Sequence, residues 1–488
     1  MKRNFFLKII AVTSILILTI NIIQCSIKTK SKIEKIDELM NYCYKNKIFN
    51  GTILVAENEK VIYKKAFGVS NFKTNDLLQT HSVFYLASVS KQFTTMAIMI
   101  LAEKGTLSYE DRLSKFFPEF PSYADQVTIR HLMNHTSGIP DHFTLGASKP
   151  DLTNEEVLRL LVKQNSLDFQ PGEKFKYSNG GYVLLAMIVE KASGIPFHEF
   201  LKNNIFNSLG MNDSLVFDQS KPQVKRRAVG YNMFGDVDDY NILTVGAGGI
   251  FSTIEDLFKW DQALYTEKLI KQSTLKDAFS PCVLNNGKKS NYGFGWGIQE
   301  RRKGKIVGHG GGLAGFRTYI ERQLKKKNTI ILLSNNGNDQ LPLIRKAIAN
   351  ILKNRLYDLP EISIACSIHD TINKVGINAA IQQYYDLKEK KSNWSRYNFA
   401  EYELNRLGYH LLEKNKFNEA VEIFKLNVKE YPKSWVVYDS LGEACMKSGN
   451  TKHAIKNYKK SIQLNPKNKA GIKALKKLKL LEKNQASE

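Results

Sequence analysis

The sequence predicts an α/β sandwich, one antiparallel sheet flanked by helices, followed by an all-helical C-terminal domain. Three observations predict it. Strand patterns stand at two places far apart in the chain, within residues 52–67 and again from Tyr292 to Ser334. The long stretch between them reads as helix and loop, so the sheet must be assembled from distant segments with helices packed on it. From about residue 376 onward the strand pattern ends and a helical repeat begins.

In chain order, Lys2, Arg3 and Lys8 precede Ile9–Ile23, which is apolar apart from Thr13, Ser14, Thr19 and Asn21. This is the layout of an export signal, and residues 1–25 are set apart as a signal peptide or lipoprotein signal. The run closes with Ile22-Ile23-Gln24-Cys25, which makes Cys25 the candidate for lipidation, although Gln24 replaces the small residue such a box calls for. An uncleaved signal anchor would leave the protein facing the same compartment. Ile33, Ile36, Leu39, Met40 and Tyr44 then fall at helical spacing. Thr52–Ala56 and Val61–Phe67 read as strands around the turn Glu57-Asn58-Glu59-Lys60. Later strands are expected at Tyr292–Gln299, Lys305–His309, Phe316–Arg322 and Thr329–Ser334, and a helix at Leu341–Tyr357 closes a domain placed at residues 26–358.

Residues 359–400 read as a helical connector and residues 401–488 as the repeat domain with a capping helix. Leu407-Gly408, Ala420, Phe424 and Pro432 recur 34 residues later as Leu441-Gly442, Ala454, Tyr458 and Pro466. The pattern resembles the tetratricopeptide repeat: Gly and Ala let paired helices approach, the aromatic ring fills the gap, and proline ends the second helix. Two repeats seldom suffice alone, so Ile377–Leu387 and Ala470–Leu481 are expected to add flanking helices. The resemblance implies a protein or peptide partner on the concave face.

A 43% hydrophobic and 11% aromatic composition belongs to a folded chain. The charge of +24 raises the question of nucleic acid, but residues 451–488 alone hold eleven lysines against two glutamates, and no basic–aromatic RNA-binding signature appears. A solvated lysine face is the reading taken, with salt-sensitive attraction of this tail to anionic lipid as a weaker one. Cys25, Cys43, Cys282, Cys366 and Cys445 lie too far apart for a zinc site or disulfide framework. His131 and His135 are four apart, yet no Glu stands between them, and no metal or cofactor is expected.

Ser88-Val89-Ser90-Lys91 is an S-x-x-K motif, which puts a hydroxyl and an amine on one helix face. A desolvated lysine can help remove the proton that makes serine a poor nucleophile. The motif recurs at Ser70/Lys73 and Ser273/Lys276, but only Ser88 opens a strongly apolar helix, with Phe93, Met96, Ala97, Ile100 and Leu101 at helical spacing. Tyr177-Ser178-Asn179 follows a Pro171-Gly172 turn. There a tyrosine beside a cationic lysine can lose its proton more easily and act as base toward Ser88, and Asn179 can hold a substrate amide. A second Y-x-N, Tyr44-Lys45-Asn46, precedes the serine and falls in the N-terminal helix. His309-Gly310-Gly311, followed by Gly312, ends a strand, and the N–H of Gly312 can join that of Ser88 in an oxyanion hole.

S-x-x-K, Y-S-N and H-G-G in this order resemble the penicillin-binding protein and class C β-lactamase family over residues 35–355. Thr128–Pro140 is similar to the family's loop beside the site and Gly246–Thr253 to its glycine turn, where Ser252-x-x-Glu255 also reads as a capping box. The resemblance implies Ser88 as nucleophile, Lys91 and Tyr177 in proton transfer, Asn179 in substrate placement and His309-Gly310-Gly311 as the third motif. Many members carry Lys-Thr-Gly there. A lysine holds a substrate carboxylate, whereas histidine is mostly neutral at pH 7. The expected activity is therefore an exported hydrolase acting through an acyl-enzyme on a peptide amide or ester, as D,D-peptidase, D-aminopeptidase or esterase, in the periplasm or cell envelope. The alternatives are a β-lactamase, or a tethered binding protein whose repeat recruits a partner and whose hydrolase domain is vestigial.

Overall fold

The computed structural model describes residues 30–485 apart from 148, 219–222, 240–242 and 303; the signal segment and Cys25 lie outside the described residues. Helix α1 (Lys32–Lys45) opens with a capping box: the Ser31 hydroxyl accepts from the Glu34 N–H, and the Glu34 carboxylate accepts from the Ser31 N–H. Strands β1 (Gly51–Glu57) and β2 (Lys60–Phe67) form the first hairpin. Strands β3 (Gly297–Arg301), β4 (Gly304–Leu313), β5 (Phe316–Gln323) and β6 (Asn328–Ser334) return about 230 residues after Phe67. All six make one antiparallel sheet in the order β2-β1-β6-β5-β4-β3, closed in register from Gly51 opposite Ser334 to Ala56 opposite Thr329.

Both faces of β1 and β6 are covered, and their central residues Ile53–Ala56 and Ile330–Leu333 are apolar without alternation. Ile53, Val55, Ile330 and Leu332 meet α1 on one face. Their neighbours Leu54, Ile331 and Leu333 point the other way, into a large helical body. That body contains α2 (Lys91–Glu103), α3 (Asn179–Ser193) and α4 (Ile254–Ala263), while α5 (Leu341–Leu352) packs beside α1. The result is an α/β sandwich.

Two elements differ from expectation. The strand expected from Tyr292 begins only at Gly297, because Gly295 adopts φ 76 and Gly293 lies so close to the chain that a Cβ there would sit 2.2 Å from the Ala278 carbonyl oxygen. Backbone packed that tightly turns instead of pairing. The cap of α4 is Thr253, whose hydroxyl accepts from the Asp256 N–H, and Ser252 is spent in a short strand with its hydroxyl 2.8 Å from that of Ser214.

Among the described residues seven α-helices follow: α6 (Ile364–Lys374), α7 (Ile377–Glu389), α8 (Glu401–Glu413), α9 (Phe417–Glu430), α10 (Trp435–Lys447), α11 (Thr451–Leu464) and α12 (Lys469–Gln485). The repeat logic is visible in its glycines. A Cβ on Gly408 would lie 2.4 Å from the Phe424 ring, and one on Gly442 would lie 3.1 Å from the Tyr458 ring. Ile368 of α6 and Tyr384 of α7 share one apolar core with Leu404, Leu411 and Phe424 of the repeat. One short pairing interrupts the helical region: Ile362–Ser363 lies parallel to Tyr397–Asn398, a two-residue contact too short to leave any periodicity in sequence. Among the described residues no helix is long and apolar enough to cross a membrane.

Candidate active site

The nucleophile candidate sits at a forced turn. Ala87 has φ 48, unusual for a residue with a Cβ, and Ala87–Ser90 form a single 3₁₀ turn that runs into α2 at Lys91. Ser88 is thus one turn ahead of the α-helix and half-buried, while Val89 and Ser90 are fully covered. The apolar helix behind it, with Phe93 packed on Trp260 at 4.4 Å between ring centroids, makes the turn rigid.

Lys91 is 0% exposed. Its Nζ donates to Ser88 Oγ at 3.2 Å, Asn179 Oδ1 at 2.8 Å and the Ala247 carbonyl at 2.8 Å, which uses all three ammonium directions. Asn179 is the first residue of α3, whose cap Ser178 holds the Gly181 N–H, and the Ala247 carbonyl is aimed by the glycine turn. Burial lowers the lysine to about 7, with Asp141 opposing the fall. A buried lysine that loses its proton near neutrality is a proton acceptor next to a hydroxyl.

Tyr177 lies with its ring 4.9 Å from Lys91 Nζ. Its phenol moves opposite to the expectation from sequence. Burial pushes it well above its ordinary range, and its hydrogen bond with Ser88 offsets only part of that rise. Tyr177 therefore holds its proton, and Lys91 is the group poised to accept one. Under Tyr177 lies the ring of His135, 4.1 Å away, whose Nδ1 accepts from the Ser178 N–H. His131 takes part in a capping contact with Thr128, so the pair supports the loop; among the described residues no cluster suited to a metal ion occurs.

The third motif lies along β4, which outruns β3: β3 pairs only as far as Gly308, leaving His309–Leu313 with one free edge. The β4–β5 ladder is closed by the two-residue turn Ala314-Gly315, so alternation directs the peptide groups of Gly310 and Gly312 toward that free edge. Gly311 faces Ser88: a Cβ there would stand 2.2 Å from the Leu86 oxygen and 3.1 Å from the Ser88 nitrogen. Thr318 of β5 anchors the same turn by donating to the Leu86 carbonyl at 2.7 Å. His309 is buried and shifted down to about 4, by burial first and then by Lys91. Its Nδ1 is 2.7 Å from the Gly310 oxygen, which can only accept, so Nε2 is left to accept from the Tyr292 hydroxyl at 2.9 Å. The histidine is neutral and in one tautomer.

The fold thus gathers Ser88, Lys91, Tyr177, Asn179 and the His309–Gly312 segment at one place. Ser70 and Ser273 stay apart, the first donating to the Asp76 carbonyl and the second exposed on a helix. Asn179 is more committed than expected, with its oxygen on Lys91 and its Nδ2 on Asp141 at 2.9 Å. Tyr292 and Asp141 were not legible as site residues. Tyr292 falls within a strand pattern, and Asp141 stands one residue beyond the loop ending at Pro140.

Comparison with known proteins agrees with this geometry. The β-lactamase family model matches residues 33–353, and a tetratricopeptide repeat model matches residues 435–468. Penicillin-binding protein 4* of Bacillus subtilis is 40% identical over 337 residues, covering 64% of this chain and 74% of that protein. The octameric penicillin-binding protein homologue from Pyrococcus abyssi superposes with a TM-score of 0.59 at 26% identity, over 66% of this chain and 77% of that one. D-amino acid amidase from Ochrobactrum anthropi shares the fold with a TM-score of 0.56 at 23% identity, over 66% of this chain and 98% of that one. With its helix-borne serine and lysine, its glycine-edged strand and these matches, the chain belongs to the β-lactamase family of serine hydrolases and carries a tetratricopeptide repeat at its C-terminal end.

Proposed function

We propose that the chain hydrolyses a peptide amide or ester through an acyl-enzyme on Ser88. The observation that carries this reading is the buried Lys91, 3.2 Å from Ser88 Oγ and titrating near 7. Neutral Lys91 accepts the Ser88 proton as Oγ attacks the carbonyl carbon. The N–H groups of Ser88 and Gly312 receive the oxyanion. Tyr177, which keeps its proton at neutral pH, donates it to the departing nitrogen or oxygen and is reprotonated by the Lys91 ammonium. Water then enters, gives a proton to the same pair and attacks the acyl carbon, which frees the acid and restores Ser88.

Neutral His309 favours peptidase, D-aminopeptidase or esterase action over β-lactam hydrolysis, because it stands where a lysine would hold a substrate carboxylate. A peptide released from or held in the cell wall, export to the envelope and recruitment of a protein through the repeat complete the reading. A fluorophosphonate or fluorescent penicillin should label the wild type and spare Ser88→Ala. Equal labelling of the two, or none of the wild type, sinks it. D-Ala-D-Ala peptides, D-amino-acid amides, short esters and a chromogenic cephalosporin, tested side by side, identify the acyl and leaving groups.

A further inference from the structure

Asn179 presents its oxygen to Lys91, yet a carboxamide can flip and offer two N–H donors instead. A flipped amide would set donor against donor beside the ammonium. The group that selects the orientation is on another element. Asp141 Oδ2 accepts from Asn179 Nδ2 at 2.9 Å, and Asp141 Oδ1 is itself held by the Phe143 N–H at 3.1 Å. The Asp141 side chain is 13% exposed, and His142, whose side chain is 2% exposed, packs beside it with a ring nitrogen 3.8 Å from Oδ1. Among the described residues neither His142 ring nitrogen has a hydrogen-bond partner, so this ring covers the carboxylate without bonding to it.

We propose that Asp141 is a positioning residue for the proton acceptor: it locks the Asn179 amide with its oxygen toward Lys91, and its charge acts on the ammonium across that amide. The inference rests on the reading of Ser88 and Lys91 given above. The other groups facing Lys91 do not compete for this part. His309 on β4 and His135 and His142 on the Asp141 loop are each held toward the neutral form by burial, with Lys91 adding to it. Tyr177 and Tyr182 present ring faces, and burial keeps both phenols protonated. Among the described residues, Asp141 is the charged group that acts on the Lys91 ammonium, and it acts upward, against burial.

Two substitutions separate the two effects. Asp141→Asn keeps an oxygen that can accept from Asn179 but removes the charge. Asp141→Ala removes both. The readout is the pH profile of Ser88 acylation by a chromogenic ester or fluorescent penicillin. In Asp141→Asn the acid limb should move down by about one pH unit, the low end of what a nearby opposite charge does. In Asp141→Ala the same displacement should come with a plateau about tenfold lower, as the unrestrained amide loses its orientation. An acid limb that stays in place in both variants, with thermal unfolding showing both folded, overturns the proposal. If instead Ser88→Ala acylates like the wild type, the parent reading has failed, and that outcome is seen in the same assay before either Asp141 variant is compared.

Discussion

At the scale of single residues, the site depends on a lysine kept out of water and a glycine kept bare. Lys91 titrates near 7 because burial penalises its charged form, so acylation should fall away as pH drops below about 7, where the amine holds its proton. The same shift acts on stability. A lysine whose folded value lies below its ordinary 10.5 binds fewer protons than the unfolded chain, so stability is lost as pH falls from 10.5 toward 7. Lys91→Met should therefore abolish acylation yet unfold a few kcal/mol later than the wild type at pH 7, with the gap shrinking toward pH 10.5. Denaturant titrations at the two pH values check both. Gly311→Ala should cost about 100-fold in acylation, because its Cβ would stand 2.2 Å from the Leu86 oxygen and push β4 off the Ser88 turn.

At the scale of elements, the sheet and its helices are tied by a buried pair distant from the chemistry. Arg322 of β5 and Asp261 of α4 are both 0% exposed, with Nε 2.5 Å from Oδ1 and the Asp261 backbone carbonyl accepting from the same guanidinium at 3.0 Å. Thr329 of β6 donates to the other carboxylate oxygen at 2.8 Å, so three elements meet at one carboxylate. Asp261→Ala should lower stability by about 3–5 kcal/mol, since it strands a buried guanidinium. Chemical denaturation monitored by tryptophan fluorescence measures the loss. In the repeat, Gly408→Ala should unfold α8 and α9 selectively, because the Phe424 ring occupies the space. Loss of far-UV helical signal with retained Ser88 labelling is the expected pairing.

At the scale of the whole molecule, a polar seam joins the hydrolase body to the repeat. Asp236 meets Lys414 at 2.9 Å and His410 at 3.4 Å, and the Phe234 ring stacks on His410 at 4.2 Å. Arg406 reaches Asp339 at 2.9 Å. His410 is pushed down to about 4 and His369 also falls, both by burial first, and their rings lie 4.9 Å apart. For a histidine with a depressed folded value, stability is present above its ordinary 6.5 and lost as pH falls through the folded one. The seam should therefore loosen as pH drops toward 4, and Phe234→Ala should loosen it already at pH 7. Limited proteolysis near residues 355–363, together with splitting of the calorimetric transition in two, reports the change.

Periodicity and turn chemistry made the elements legible in sequence: the paired strands at 52–67, the returning strands before residue 334 and the 34-residue helical repeat are local patterns. The motif order, together with the apolar helix behind Ser88, singled out among three S-x-x-K serines the one that the fold sets beside Lys91 and the Gly311 strand. What sequence could not supply were properties created by burial and by contacts between distant segments. Proximity to Lys91 suggested an acidic Tyr177, but desolvation of the phenol outweighs it, and it is the lysine that burial brings down to about 7. Tyr292 reaches His309 across 17 residues from the turn that holds Gly293 and Gly295, and Asp141 reaches Asn179 across 38 residues of chain. Local patterns determine which residues form helix and strand, whereas the three-dimensional packing alone decides which polar groups lose water and find one another.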